Sequence, residues 1–94
     1  MLDFFFIRDE QPSDHALTQA EYAGGLRVDE FEQAKNAQII EPYLDFYEDF
    51  RWSSVQVEQK LTLLQKAKIE ETTVLLWILR RAMKLDCGVI AFCD

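Results

Sequence analysis

The sequence predicts an α+β fold: a small sheet containing the N- and C-terminal strands, packed against two longer helices and one or two short helices. Short apolar runs rich in aromatic and β-branched residues stand near both ends of the chain, and two long stretches with helical apolar spacing lie between them. The 94 residues, 49% of them hydrophobic, suffice for one compact domain over residues 1–94. We expect such a domain to fold without disulfides or a structural metal.

Both terminal runs lack the polar alternation of a strand with one solvated face. Leu2–Ile7 precedes the polar residues 8–13, residues 89–93 follow Gly88, and Asp3 is the one charged residue within the two runs. Strands with this pattern are buried on both faces. We therefore expect the two strands to pair with each other near the centre of the fold and to be covered by helices.

Residues 14–25 allow two interpretations. Residues 14–23 can form a helix that Gly24 and Gly25 stop, or residues 21–23 can form a short strand that enters a glycine turn. We favour a loop followed by the short strand.

A short helix is predicted to begin at Asp29. The Asp29 side chain can accept hydrogen bonds from the first free backbone N–H groups, and Glu32 can reach back from three residues on to complete a capping box. The helix then continues to about residue 37, with Phe31 and Ala34 facing the core.

The clearest local signal marks the start of a long helix. Ser53 and Gln56 have the spacing of a capping box, and Trp52 and Val57 occupy the two positions of a hydrophobic staple. The inward stripe that follows consists of Val57, Leu61 and Leu64. Trp52 is therefore expected first of all to clamp the helix start.

A second long helix is predicted over residues 71–86, with Gly88 placed to stop it. Its first residues are acidic and its last turn is basic, which suits the helix macrodipole. Residues 74–79 are all apolar, so this helix should be the buried spine of the domain. Arg80 and Arg81 lie one turn from Trp77, where either guanidinium can stack on the ring.

We expect the two long helices to be separated by a break around residues 67–70. A continuous helix over residues 54–86 would be about 50 Å long. A compact domain of this size has a radius of gyration of only about 12 Å.

Residues 43–52 combine aromatic and acidic side chains more densely than any other stretch, with five of the twelve aromatic residues of the chain. Four aromatics fall at i, i+3, i+4 and i+7, which predicts one face of a helix opened by Pro42. That face consists of Tyr43, Phe46, Tyr47 and Phe50, and the acids opposite it are Asp45, Glu48 and Asp49. We expect the aromatic face to pack inward and the acidic face to meet solvent.

The negative charge belongs to the first half of the chain. Residues 1–52 hold 12 acids and 4 bases (net −8), whereas residues 53–94 hold 5 acids and 6 bases (net +1). This sign argues against binding of nucleic acid or of anionic membranes and favours a basic protein partner. A net negative charge also keeps a small domain soluble, which is the simpler explanation of the total.

No spacing in the chain matches a catalytic or metal-binding motif. His15 lies in a polar stretch, and Gly24 with Gly25 forms neither a dinucleotide fingerprint nor a phosphate loop. The acids of residues 43–52 lack the loop of a calcium site and can hold a hard cation only weakly. We therefore expect no catalytic residue, no cofactor and no metal, and a non-enzymatic role.

The cysteines indicate the compartment. Cys87 and Cys93 fall at a predicted helix end and in a predicted strand, with a spacing that favours neither a mutual disulfide nor a zinc site. Reduced, inert thiols of this kind are typical of the cytoplasm. The chain starts without the basic region of a secretory signal, and its apolar runs are too short to span a bilayer.

These observations predict a small acidic module that binds or inhibits a basic protein. The expected partner-binding residues are Tyr43, Asp45, Tyr47, Glu48, Asp49 and Trp52. Small acidic proteins that neutralise basic nuclease toxins share this size and charge, so an immunity or antitoxin-like role is the specific form of the hypothesis. The alternative is a structural or housekeeping homo-oligomer, possible as a homodimer, that buries its apolar strand edge or aromatic face against a second copy.

Overall fold

The computed structural model describes residues 1–14, 20–67 and 73–93. Its elements in chain order are β1 Leu2–Ile7, β2 Tyr22–Leu26, α1 Val28–Asn36, β3 Phe50–Trp52, α2 Ser54–Ala67, α3 Thr73–Lys84 and β4 Gly88–Cys93. The four strands form one antiparallel sheet in the order β2-β1-β4-β3. The predicted α+β class is confirmed, including the sheet built on the two terminal strands.

The two terminal strands pair at the centre of the sheet, as expected. Their register runs from Leu2 opposite Cys93 to Ile7 opposite Gly88. One face of the sheet joins α2 and α3 in the main core, and Phe4 and Ala91 on that face are fully buried. Among the described residues, the other face carries a small cluster around Ile7 and Ile90 that contains no residue of a helix. The expected helical cover is thus found on one face within the described residues.

The loop that follows β1 is fastened to the second face of the sheet. The Arg51 guanidinium donates hydrogen bonds to the carbonyl oxygens of Arg8 at 2.9 Å and of Asp9 at 3.3 Å, and to the hydroxyl of Ser13 at 3.3 Å. One side chain of β3 therefore holds the loop that follows β1. Charge-assisted bonds of this kind are stronger than neutral ones.

The strand interpretation of residues 21–23 is supported, but the glycines lie inside the strand rather than in a turn. Gly24 and Gly25 pair with Phe4 and Asp3 of β1, and the register shifts at the next pair. Gly24 has φ +151°, and a Cβ there would lie 3.1 Å from Cδ1 of Ile78. An irregular strand and a close helix both favour glycine. Residues 15–19 of the ambiguous segment 14–25 lie outside the described residues, so the alternative helix over residues 14–23 is not described there.

The capping box predicted at Asp29 and Glu32 is wrong by two residues. The helix α1 begins at Val28, and the Arg27 backbone N–H donates to Oε1 of Glu30 at 2.9 Å. Asp29 instead lies in the first turn, where its charge faces the positive end of the helix dipole. The expected inward residues Phe31 and Ala34 are both fully buried.

The capping box at Ser53 is confirmed and is reinforced by a residue distant in sequence. Ser53 N–H donates to Oε1 of Gln56 at 2.8 Å, and Gln56 N–H donates to Oγ of Ser53 at 3.3 Å. The carboxylate of Asp9 accepts from the Ser54 N–H at 2.9 Å and from the Ser54 hydroxyl. These two bonds lower the pKa of Asp9. The staple residues Trp52 and Val57 are buried in the main core.

The two long helices pack against each other and so are separate elements. The inward stripe of α2 is buried as predicted. The helix α3 is buried along its inner face, in agreement with the predicted spine, but Trp77 in the middle of the apolar run is 54% exposed. Its inner face consists of Leu75, Ile78, Leu79 and Ala82. Most of the predicted break lies in residues 68–72, outside the described residues.

Gly88 does not end α3, contrary to the prediction. The residue with left-handed backbone after the helix is Asp86, with φ 55°, and the Cys87 N–H closes the turn on the Ala82 carbonyl at 3.0 Å. Gly88 belongs to β4, where a Cβ would lie 2.2 Å from the carbonyl oxygen of Trp52. Glycine is thus required at residue 88 by the close approach of β3.

Candidate functional site

Residues 43–49 do not form the predicted helix. They form turns, and β3 begins at Phe50. The Leu44 N–H donates to the Glu41 carbonyl and the Glu48 N–H to the Asp45 carbonyl, each at 3.1 Å, and the Asp45 side chain accepts from the Tyr47 N–H at 3.4 Å. Such local bonds compete with a helical ladder. Residues 41–49 are called the acidic loop below.

The loop divides the aromatic residues of the predicted stripe between core and surface. Phe46 is buried and packs edge to face on Phe31, with ring centroids 5.6 Å apart. Tyr43 is 78% exposed and Tyr47 is 72% exposed. The ring centroids of Tyr47 and Phe46 are 5.3 Å apart, so the exposed tyrosine packs against the buried phenylalanine. The expectation that the whole stripe packs inward is therefore wrong for both tyrosines.

The three acids expected at the site all lie at the surface of the acidic loop. Asp45, Glu48 and Asp49 are exposed. Oδ1 of Asp49 also accepts a hydrogen bond from the Cys93 N–H at 3.3 Å, which ties the end of the loop to β4. In the part of the chain that the structure describes, no group of three acidic, histidine or cysteine side chains is placed to hold a metal ion.

Trp52 does not share the surface of the other predicted site residues. It is 2% exposed and lies beside Phe4 and Phe50, with ring centroids 6.0 and 5.1 Å away. Its indole N–H donates to Oε2 of Glu41 at 3.2 Å. The structure thus brings five of the six predicted residues to one exposed loop and places Trp52 beneath them in the core.

Sequence reasoning missed Lys60, which fastens the start of the acidic loop to α2. Its ammonium group is buried, forms a salt bridge with Glu41 and donates to the Ile39 carbonyl at 2.8 Å. It also lies 4.5 Å from the ring centroid of Trp52. The sequence does contain a signal for this buried lysine, because Lys60 lies three residues after Val57, within the inward apolar stripe of α2. A buried lysine requires a partner, and that partner is Glu41.

A second surface, also missed, lies on the outer side of α3. Trp77, Arg80, Arg81 and Lys84 recur at i, i+3, i+4 and i+7 and, with Leu61 and Met83, line a groove of about 530 Å³. The guanidinium carbon of Arg81 lies 5.9 Å from the Trp77 ring centroid, which is the stacking that the sequence allowed. This set is called the basic groove below.

Cys87 and Cys93 are both in the reduced form. Cys87 is buried, and this burial raises the pKa of its thiol, so the reactive thiolate is disfavoured at neutral pH. Cys87 lies directly before β4, and Cys93 is the last residue of that strand.

Comparisons with protein families, curated proteins and solved structures found no match to this chain. The helices of residues 1–14, 20–67 and 73–93 are all too short or too polar to cross a membrane.

Proposed function

We propose that this protein is a small non-enzymatic binding or inhibitory module that presents its acidic loop to a basic protein partner. The observation that carries the proposal is the pairing of two highly exposed tyrosines with three exposed carboxylates on one loop. Tyrosine is enriched at protein interfaces, where its large ring and polar hydroxyl make it one of the commonest binding hot spots.

The tyrosines and the acids of the loop would contribute to binding in different ways. Tyr43 and Tyr47 offer large rigid contact areas with few rotatable bonds, so that little conformational entropy is lost on contact. Asp45, Glu48 and Asp49 produce a local negative field that steers a basic surface toward the loop and raises the association rate. The excess of acids in the first half of the chain strengthens that field.

The loop is held in place before any partner arrives. Phe46 anchors its middle in the core, the salt bridge between Glu41 and Lys60 fixes its start, and the bond from Cys93 to Asp49 fixes its end. Ordering a mobile loop at an interface weakens binding, so a fastened loop retains more of its contact energy. This arrangement suits a tight inhibitor.

The specific form of the proposal is an immunity or antitoxin-like role in the cytoplasm. A nuclease toxin holds nucleic acid with Lys and Arg side chains, and these present the basic surface that an acidic loop would cover. Acidic charge and small size support this form of the proposal.

The test uses a variant that removes charge while keeping one acceptor oxygen at each position. The loop variant is Asp45→Asn, Glu48→Gln and Asp49→Asn. The control variant, Glu10→Gln, Glu32→Gln and Glu58→Gln, changes the net charge by the same amount at exposed positions outside the loop. Proteins captured by the wild type from a lysate of the source cells are identified, purified and used for association kinetics.

We expect the loop variant to associate about tenfold more slowly than the wild type at low salt, and the control variant to resemble the wild type. The difference should shrink at about 1 M salt, where the Debye length is about 3 Å. An acidic partner, or equal association rates for the two variants, would contradict the proposal.

A further inference from the structure

The helix α3 has two faces of opposite character with the same spacing. Its inner face at residues 75, 78, 79 and 82 is fully buried in the main core. Its outer face at residues 77, 80, 81 and 84 consists of one tryptophan and three cations, all exposed. The outer face is therefore a chemically defined surface rather than a uniformly polar one.

Helix stability explains only part of that outer face. Arg81 and Lys84 lie in the last turn of α3, where positive charge favours the helix dipole. The dipole gives no reason for Trp77 to be 54% exposed beside Met83 at 50%. Trp, Met and Arg are the side chains enriched at protein interfaces and at their binding hot spots.

The cations of the groove have no acidic partner within the described residues. The salt bridges found there involve Arg27 and Lys60 instead. Arg80, Arg81 and Lys84 thus leave three positive charges around an apolar floor, and the acidic loop offers three exposed carboxylates beside two exposed tyrosines. The two surfaces of one chain are complementary in charge and in apolar content.

We propose that the basic groove of one copy of this chain binds the acidic loop of a second copy. The inference rests on the proposed function of the loop as a binding surface and names the groove as one basic surface that it fits. The tyrosines lie against Trp77 and Met83, and the carboxylates face the two arginines and Lys84. A basic partner then competes with the groove for the loop, so self-association reduces the amount of loop that is free to bind.

A second copy fits the observations better than a polyanion does. The net charge of −7 repels a long polyanion along its whole length, whereas a second copy needs to bring only the exposed carboxylates of its acidic loop to the basic groove. Three cations within about one turn of helix match a short acidic loop rather than a long phosphate backbone.

The experiment is sedimentation equilibrium of the full chain from about 1 µM to about 1 mM, the range of weak protein associations. The groove variant is Arg80→Glu with Arg81→Glu, and the loop variant is Asp45→Lys with Glu48→Lys. Matched controls are Lys35→Glu with Lys66→Glu, and Glu10→Lys with Glu32→Lys. Thermal melting of every variant confirms that it is folded.

We expect the wild type to self-associate and each reversed variant to do so at least about tenfold more weakly, with both controls close to the wild type. An equimolar mixture of the groove and loop variants should recover association. In that mixture the acidic groove of the first variant can bind the basic loop of the second, and their unchanged surfaces can also bind each other. Trp77 supplies a second readout: its emission should shift to the blue as the wild type associates, while Trp52 is already buried.

A wild type that stays monomeric over the whole range, or a mixture that fails to associate, overturns the inference. Association that the controls weaken as much as the groove variant does would also overturn it. A monomeric chain whose acidic loop still binds a basic partner in the preceding test would leave the proposed function standing, so the two failures are distinguishable.

Discussion

Glu41→Ala should lower the free energy of unfolding by about 2–3 kcal/mol, although Glu41 lies in a loop. The Glu41 carboxylate accepts from the Lys60 ammonium and from the Trp52 indole N–H. Removing it leaves a buried cation with one carbonyl partner and a buried N–H with none among the described residues. An unsatisfied buried donor costs about 1–3 kcal/mol, and breaking a fully buried ion pair costs about 3–5 kcal/mol.

The expected cost of Glu41→Ala lies below the about 3–5 kcal/mol of a fully buried ion pair, because the pair of Glu41 and Lys60 is only partly buried. The side chain of Glu41 is 22% exposed and that of Lys60 is 9% exposed. Water can therefore reach the vacated site and solvate the ammonium in part. Lys60→Met should cost less than Glu41→Ala, because it fills the same space with an apolar chain and leaves a partly exposed carboxylate that is still bonded to the Trp52 indole.

Urea denaturation followed by tryptophan emission measures both effects. For a domain of this size, a loss of 2–3 kcal/mol lowers the urea midpoint by roughly 1–3 M. In the Lys60→Met background, Glu41→Ala should cost clearly less than it does in the wild type, because no buried cation is left behind. Equal costs for Glu41→Ala in the two backgrounds, or a larger cost for Lys60→Met alone, would refute the reasoning.

Three further substitutions test the fold. Ser53→Ala should cost about 1 kcal/mol by removing the cap from the Gln56 N–H, and an unchanged urea midpoint would contradict the cap. Leu79→Ala should cost about 2–5 kcal/mol, since the side chain is fully buried, and a variant that melts near the wild type would remove α3 from the core. The pKa of Asp9 is lowered in the folded state by its bonds to Ser54, so its stabilisation is complete above the ordinary value of 3.8 and is lost as pH falls through the folded pKa. Asp9→Asn should therefore reduce the acid dependence of stability below about pH 4, and identical acid titrations of the two proteins would exclude this contribution.

The elements that sequence reasoning predicted correctly are those whose cause is local. The strand Leu2–Ile7 was predicted with its observed bounds, because an apolar run followed by polar residues defines a strand by itself. The capping box at Ser53 needs only residues three apart, and its hydrogen bonds are present. The pairing of the terminal strands followed from their lack of a polar face, which only central strands tolerate.

The aromatic spacing of residues 43–50 misled because helical periodicity is not unique to helices. The pattern of Tyr43, Phe46, Tyr47 and Phe50 fits one helix face, but Phe50 is drawn into the sheet by pairing with Ala91. That pairing joins residues 41 positions apart and cannot be seen in a local window. Once β3 is fixed, the preceding residues must turn, and the Asp45 side chain supports the turn.

Five of the six residues expected to bind a partner lie on one exposed loop, whereas Trp52 lies in the core, and the contacts that support the loop were not predicted. Tyr43, Tyr47 and the three acids do share one exposed loop. Their support comes from Lys60, from Phe31 and from the Cys93 N–H, which lie on three other elements. Contacts between distant parts of a chain depend on the fold as a whole, so no local pattern specifies them.

Glu41 contributes to the stability of the fold and, as the anchor of the acidic loop, to the proposed binding. Rates of association and dissociation distinguish the effect of this anchor from the effect of the loop charges. Because Glu41 anchors the loop from its buried end, Glu41→Ala should loosen the loop and increase the entropy lost on binding. Dissociation of a basic partner should then become faster while steering by Asp45, Glu48 and Asp49 is retained. Neutralising those three acids should instead slow association and leave the anchor intact. A Glu41→Ala protein that loses affinity only through slower association would show that Glu41 contributes its charge rather than its bond to Lys60.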